Sequence, residues 1–559
     1  MIDSLKNNKL SVLDKRLKAF EKGYRQNLTL LNDDPDETSY ILDGYFSTER
    51  IENLIYIRFS TSYKGKKEIF KTIAFSLLSA YARKSDPLDR LICQLSSSLP
   101  ATTDFIKDSL KKDNISFLDA TEIINTFLTE SNLRCVLIIE EFLNLINIFD
   151  DFYQSFSNFI ILQRNCMVVL SETKIKEAQR ILLGELNLLF GNFEKVFLNN
   201  NAFLDNYFYL KSLLAPLDCS VFFISFFVNI LDSNLMYYDF ISRKIKKHYQ
   251  RDDENGSIIK VLDKTVYEQY SYFFQKFTKK VDFINANFKD SQAALKILLS
   301  LSQGYLRKSE LLSLGFCQSK ELNIRLQKLS DLNYIDNLGD IYKIRDSLFS
   351  FWLKNIFPIC FTQATSDPKQ RNFIFRNNLE EQLVLFKEEF IEDKLKKVLQ
   401  LFSAFQNDTI RLGKNKYRLP LVDKTKMISY PKRNFHLLIA EGKEIIFTGI
   451  KEKNFTDNDI FYFLEKGANI KGKNVKKIFI SLDVISATAK VIAKNKKIIL
   501  WDINDINRLL NIYNKPFVSL TTTDYKKVDD ARVDVTNRQI PSNNLISDEN
   551  TGNKRHSYS

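Results

Sequence analysis

Between Asn27 and Ser171, short apolar runs alternate with amphipathic stretches of helical period, and this alternation limits the possible folds more than any other feature. The runs are "NLTLL", "NLIYIRFS" (Asn53–Ser60), "RCVLIIEEF" (Arg134–Phe142) and "CMVVLSE" (Cys166–Glu172), each bounded by polar turns. Strands separated by helices pair in parallel, and a parallel sheet is covered by those helices on both faces. "KVFLNN" (Lys195–Asn200) supplies a fifth strand. The class is therefore α/β. A chain of 559 residues exceeds one hydrophobic core, and ~100–200 residues per domain implies three to five units.

The pattern then changes three times. Residues 203–290 lose the strand signal and read as an all-helical lid, with "RDDENGS" as an exposed loop. Residues 291–360 read as three helices followed by a hairpin, "NYIDNLGDIYKIRD", which is the order of a winged helix. Residues 361–518 open on one long helix, "LEEQLVLFKEEFIEDKLKKVLQLFSAF". Strands at "FHLLIA", "EIIFTGIK", "KKIFISL" and "KKIILWD" follow, making a mixed α/β domain. Residues 519–559 are too polar to pack and read as a disordered tail.

Charge is informative once located. Residues 1–300 carry 38 basic and 38 acidic side chains, whereas residues 401–500 carry 20 against 9, out of a net +13 for the chain. A positive field that local points to a polyanion contact in the C-terminal half. Its densest stretch, "RLGKNKYRLPLVDKTKMISYPKR", holds eight basic residues and one acid, with Tyr417 and Tyr430 interleaved. Arg411, Lys414, Lys416 and Arg418 are its leading nucleic-acid candidates. A solvated lysine-rich hairpin is the plain alternative. Six scattered cysteines and three histidines argue against a zinc site or disulfide framework, and for a reducing cytoplasm. The most apolar run, "VFFISFFVNIL", is half the ~20 residues a membrane span needs, so no membrane association is expected and the run reads as a buried helix.

The first strand runs into the loop "NDDPDETS", the position of a phosphate-binding loop, with inverted chemistry. Such loops converge glycine N–H groups and a lysine on phosphate. Here Asn32, Thr38 and Ser39 are the only neutral polar groups, Pro35 removes a donor, and Asp33, Asp34, Asp36 and Glu37 bring negative charge. One like-charge contact at ~4 Å costs about 4 kcal/mol at an effective dielectric of 20, against ~8 kcal/mol for micromolar binding. Helix capping by these acids is the favoured reading. A nucleotide held by its base or through Mg²⁺ stays open as the alternative. About 100 residues on, "VLIIEEF" places Glu140 and Glu141 where a Walker B strand carries its metal-orienting and water-polarising acids.

This order of parts, with "IYKIRDSLFSFWL" (Ile341–Leu353) and "IFISLDVISATAKVIAKNKKIILWDINDINRLL" (Ile478–Leu510), resembles the archaeal-type ATPases of the STAND branch of the AAA+ superfamily. The resemblance implies a RecA-like AAA+ core over residues 1–202, then the lid and winged helix, and a restriction-endonuclease-like (PD-(D/E)XK) domain over 361–518. It also implies an archaeal or bacterial cytoplasm. The departures fall on chemistry. The loop lacks its glycines and lysine, Asn192 stands where the sensor arginine would, and "DSNLMYY" (Asp232–Tyr238) replaces the lid's Gly-Gly-x-Pro turn. In the last domain, His436, Gly449 and Lys451 align with the nuclease Asp, Glu and Lys, a set that cannot build an oxygen site for a hard cation. On the winged helix, Gln318, Lys320, Asn323 and Lys328 are the expected exposed recognition residues. The expectation is a pseudo-ATPase and pseudo-nuclease, without cofactor or metal, that binds DNA or a nucleoprotein assembly. A residual Mg–ATP switch on Glu140 and Glu141 is the first alternative. A scaffold for a protein partner or its own oligomer is the second.

Overall fold

The computed structural model describes residues 2–518, except 49–50, 52–53, 63–64, 187–192, 199–202, 316, 363–366, 414, 469–474 and 483–484, with backbone only at 2–9, 48 and 487. Lys414, Asn192 and the tail from 519 lie outside the described residues. Two compact units emerge. One comprises Met1–Glu392, Gln406–Leu419 and Arg508–Pro516, and the other Asp393–Phe405, Pro420–Asn507 and Phe517–Ser559.

The first unit is built on five parallel strands: β1 (Asn27–Leu31), β2 (Leu54–Ser60), β3 (Arg134–Glu140), β4 (Cys166–Glu172) and β5 (Phe193–Phe197), in the order β2-β3-β4-β1-β5. Alternate side chains serve opposite cores, as a two-residue strand period requires. Leu28, Leu30, Val136, Ile138 and Val169 meet Leu13, Leu17, Ile41 and Leu42 on one face. Leu137, Ile139, Val168 and Leu170 meet Phe70, Ile73, Leu77 and Phe127 on the other. Because β4 lies between β1 and β3, the C-terminal ends of these three strands share one crevice, the usual ligand position in such sheets.

Helices Phe203–Leu213, Val221–Leu231, Leu235–His248, Glu254–Leu262 and Tyr272–Asn287 follow. The apolar run is the second of these, buried at Phe223, Phe227 and Leu231. Among the described residues no helix is long and apolar enough to cross a membrane. Next come helices Ser291–Gln303, Lys308–Ser313 and Ser319–Asp331, and the hairpin β6 (Ile335–Asn337) with β7 (Tyr342–Ile344). Helices Ser347–Asn355 and Pro368–Ile391 complete the continuous part of the unit.

Two expectations are corrected here. The single long helix is two, ending at Ile391 and restarting at Lys394, where the Asp393 carboxylate accepts the Leu395 N–H at 2.8 Å. The break is where the chain passes between units. Second, the basic hairpin of β8 (Asp408–Leu412) and β9 (Asn415–Leu419) belongs to the first unit and extends the β6–β7 turn. Arg411 N–H donates to the Leu338 carbonyl at 2.8 Å, and Asp340 N–H to that of Thr409 at 2.9 Å. Gly339 permits this approach: its φ is +113°, and an added Cβ would sit 2.0 Å from Thr409 O.

The second unit is a mixed sheet of β10 (Lys424–Tyr430), β11 (Phe435–Glu441), β12 (Ile445–Lys451), β13 (Val475–Ser481) and β14 (Ile499–Trp501), paired in that order. The first two pairings are antiparallel and the last two parallel. Phe435, Phe447, Phe463 and Phe479 dominate its core.

Gly339→Ala forces a strained backbone and a clash, each worth ~1–3 kcal/mol. It is expected to lower the melting temperature and to speed amide exchange across Asp408–Leu419 before the parallel sheet. Unchanged protection of that hairpin would contradict its docking on the turn.

Candidate functional site

Only Asn32, Asp33 and Asp34 separate β1 from the helix Pro35–Thr48, and the turn satisfies itself. The buried Asn32 amide donates to the Asp34 carbonyl (3.3 Å), Glu37 Oε2 (3.1 Å) and Thr38 Oγ1 (3.1 Å). Asp33 N–H returns to Asn32 Oδ1 at 2.9 Å. The Asp34 carboxylate caps the helix by accepting Asp36 N–H at 3.0 Å, and its carbonyl takes Thr38 N–H at 3.1 Å. The N–H groups of Asp33, Asp36 and Thr38 are therefore bound within the turn, and Pro35 has none.

The four acids are gripped by other parts of the same unit. Lys276, on helix Tyr272–Asn287, bonds Asp34 at 2.7 Å and Asp36 at 2.9 Å. Asn234 donates to Asp34 at 3.0 Å, Leu235 N–H to Glu37 at 2.8 Å, and Tyr272 Oη to Asp36 at 2.8 Å. Arg345, just after β7, bonds Asp33 at 2.8 Å and Asp336 at 2.6 Å. Beside them Lys280 and Tyr237 both donate to Asp346, at 2.6 and 3.0 Å. Burial works against the Lys276 ammonium, but the Asp34 and Asp36 charges outweigh it and hold its pKa above the ordinary lysine value. Burial likewise opposes the Asp36 carboxylate, and Lys276 with Tyr272 still brings its pKa below the usual one. The cavity left among these groups is about 70 Å³. Two waters would fill it, and small-molecule sites span ~300–1,000 Å³. The acids thus form no bare negative wall. The position a phosphate would take in such a turn is occupied by side chains already bonded to one another.

The cation side is filled in the same way. Ser39 Oγ donates directly to Glu140 Oε2, the serine and acid that flank a metal in a P-loop site. Arg58 on β2 donates to Glu140 Oε1 at 2.7 Å and to the Ser39 carbonyl at 3.1 Å, and pairs with Asp43. Burial tends to lower the Arg58 pKa, but Glu140 and Asp43 raise it overall. A guanidinium therefore stands where Mg²⁺ would, and these residues do not fit Mg–ATP. Among the described residues, no cluster of three or more His, Cys, Asp or Glu is arranged to hold a metal.

Glu141 adopts a left-handed backbone (φ 56°) and accepts the Thr173 hydroxyl at 3.0 Å, so it leaves the Glu140 cluster and faces Glu172 instead. Burial, and then the Glu172 charge, push its pKa up to about 8. Glu172, buried at the end of β4, is also shifted upward by burial, although the N–H groups of Lys174, Leu143 and Thr173 oppose that shift.

Elsewhere, Lys320, Asn323 and Lys328 are exposed on helix Ser319–Asp331, and Gln318 is exposed at its N-cap. Lys328 turns back to the Asn287 carbonyl and lies 4.5 Å from the Phe288 ring centroid. Arg325 is held by Asp290 at 2.9 Å and Glu321 at 3.1 Å. In the second unit His436 is bonded to Ser429 at 2.9 Å and Glu452 at 2.6 Å, and Lys451 to Asp459 at 3.0 Å. A Cβ on Gly449 would lie 2.7 Å from Phe463, so a glutamate there would displace the aromatic core.

No family model and no curated protein matches the chain. Solved structures do resemble it. A Walker-type ATPase of Pyrococcus abyssi superposes with a TM-score of 0.44 at 15% identity, over 63% of this chain and 95% of that one. The ORC2 protein of Aeropyrum pernix gives 0.41 at 8%, over 68% and 95%. The ORC1 protein of the same organism, solved in complex with DNA, gives 0.28 at 10%, over 62% and 91%.

Three residues that organise the site, Arg58, Lys276 and Arg345, were not among those singled out in the sequence. Arg58 carried a usable signal as a cation inside an apolar parallel strand, a place that demands a partner. Replacing Lys276 by Met leaves Asp34 and Asp36 unpaired and is expected to cost about 3 kcal/mol. Adding Asp34→Asn and Asp36→Asn should recover part of that loss, and denaturant melts of the single, double and triple variants measure the coupling. Because the folded Glu141 pKa is raised, its contribution to stability is full below the unfolded value of 4.5 and is lost as pH rises through about 8. Glu141→Gln should therefore flatten the stability profile over that window and stabilise the protein at its alkaline end.

Proposed function

We propose that this protein is an ATPase-like, nucleotide-independent DNA-binding platform: a STAND/AAA+-type pseudo-ATPase whose lid and winged helix are latched by the acidic turn. The contact with the double helix is made by a wing enlarged with the β8–β9 hairpin. The second unit, on this reading, is a nuclease-like domain without its acids, adding positive charge but no hydrolysis.

The observation that carries the reading is the register of the hairpin. Arg411 faces Lys416 and Thr409 faces Arg418, so three cations share one face, all exposed. Ile410, Leu412 and Leu419 are buried on the other. Like charges directly opposite in a hairpin are destabilising, so the arrangement suits an external polyanion better than a solvated loop. The β6–β7 turn itself carries only Asp340, and the added hairpin supplies the charge a wing needs against phosphate. Arg307 anchors it by two bonds to the buried Asp408, at 2.7 and 2.8 Å.

Anisotropy of duplex DNA with the full chain across a salt series tests this. Affinity should fall steeply with salt. Arg411→Ala with Lys416→Ala should weaken binding about tenfold and lower the slope of log K against log salt by about two. Salt-independent binding, or a double variant that binds like the parent, would remove the claim.

A further inference from the structure

A second cavity in the first unit has the make-up of a small-molecule site. Its volume is about 410 Å³, within the ~300–1,000 Å³ usual for such sites. Three helices turn matching stripes toward it. Helix Ser347–Asn355 presents Ser347, Ser350, Phe351 and Lys354, and helix Pro368–Ile391 presents Gln382, Leu385, Phe386 and Glu389, both at the i, i+3, i+4, i+7 spacing of one helical face. Phe226 and Ile230 of helix Val221–Leu231 close the apolar side.

The polar side is cationic. Lys343, Lys354 and Lys515 line the cavity against one carboxylate, Glu389. Lys343 is held over the returning segment by the Asn511 carbonyl at 2.8 Å and by the Asn511 side chain. Neither Lys354 nor Lys515 forms an ion pair among the described residues. The groove is open to solvent at Lys354 and Leu385, and its lining combines three phenylalanines with three lysines, the make-up that suits a ligand with an apolar body and an anionic end.

We propose that this pocket binds a small amphipathic anion: a compact aromatic or aliphatic body against Phe226, Phe351 and Phe386, with one carboxylate, sulfonate or phosphate among the three lysines. Its wall reaches the latch, because the Ser347 hydroxyl donates to Asp232 at 3.2 Å and Asp232 lines the small cavity beside the acidic turn. The proposal does not depend on DNA binding.

The test titrates the full chain with anilinonaphthalene sulfonate and, in parallel, with uncharged phenylnaphthylamine. Saturable fluorescence at one site per chain is expected, with the sulfonate bound about tenfold tighter or more, as one partly buried opposite-charge contact allows. Ser350→Trp, which fills the cavity, should abolish the signal. Lys515→Glu, at a half-exposed position that does not threaten folding, should weaken the sulfonate about tenfold and leave the neutral probe unchanged. Circular dichroism melts establish that each variant is folded. Absence of a saturable site, equal affinity for the two probes, or a folded Ser350→Trp or Lys515→Glu chain that binds the sulfonate like the parent would overturn the proposal.

Discussion

The contact between the Lys276 ammonium and the carboxylates of Asp34 and Asp36 organises the first unit. In a nucleotide-binding sheet of this layout, anionic phosphate oxygens at the end of the first strand are gripped by cations from elements later in the chain. Here the anions are side chains of the turn itself. They are covalently part of the fold, and their effective concentration against Lys276 and Arg345 does not depend on any ligand. Arg58 treats Glu140 and Ser39 in the same manner on the metal side. The result is a permanent internal salt-bridge network, in which Tyr272 shares Asp36 with Lys276, Tyr237 shares Asp346 with Lys280, and the Leu235 N–H holds Glu37.

Such a network specifies geometry more than it adds stability, because desolvating the charges consumes most of the Coulomb energy. Its consequence is positional. Arg345 and Asp346 lie immediately after β7, so the groups that hold the acidic turn also fix the start of helix Ser347–Asn355 and the base of the β6–β7 hairpin. From there the turn at Gly339 carries β8 and β9, and Arg307 ties Asp408, itself bonded to Tyr513 at 2.8 Å, to the same strand pair. Ion pairs at Arg345 and at Arg307, joined by the backbone pairing of the two hairpins, thus lie between the acidic turn and the exposed face of Arg411, Lys416 and Arg418.

Much of this architecture was legible in the sequence. β1, β3 and β4 stand within a few residues of their apolar runs, since a strand buried on both faces has no other way to be written, and the partly buried β2 and β5 are shorter or mixed versions of the same signal. The helical character of 203–290 was equally plain. What was hidden has identifiable causes. β10 is an edge strand in which only Met427 and Tyr430 are even half-buried, so it lacks the alternation that betrays a strand. The break at Glu392 carries neither glycine nor proline, and its cap, Asp393, looks like any other acid in a charged helix. At the site, the sequence revealed that the turn was acidic but not what it touched. Lys276, Lys279 and Lys280 follow one another on one helix, and only packing determines that Lys276 and Lys280 point inward. Repulsion of phosphate was therefore the natural inference from composition, and the structure adds what composition could not show, the lysine, arginine and amide partners that the acids hold.

Isothermal calorimetry of the intact chain with Mg–ATP at millimolar concentration tests the central claim most directly. A site whose anion and cation positions are already taken by Asp34, Asp36 and Arg58 should give no saturable heat and no rise in melting temperature. Micromolar binding that disappears in Glu140→Ala would contradict the account, because nucleotide and metal would then be entering a position that the side chains were said to fill.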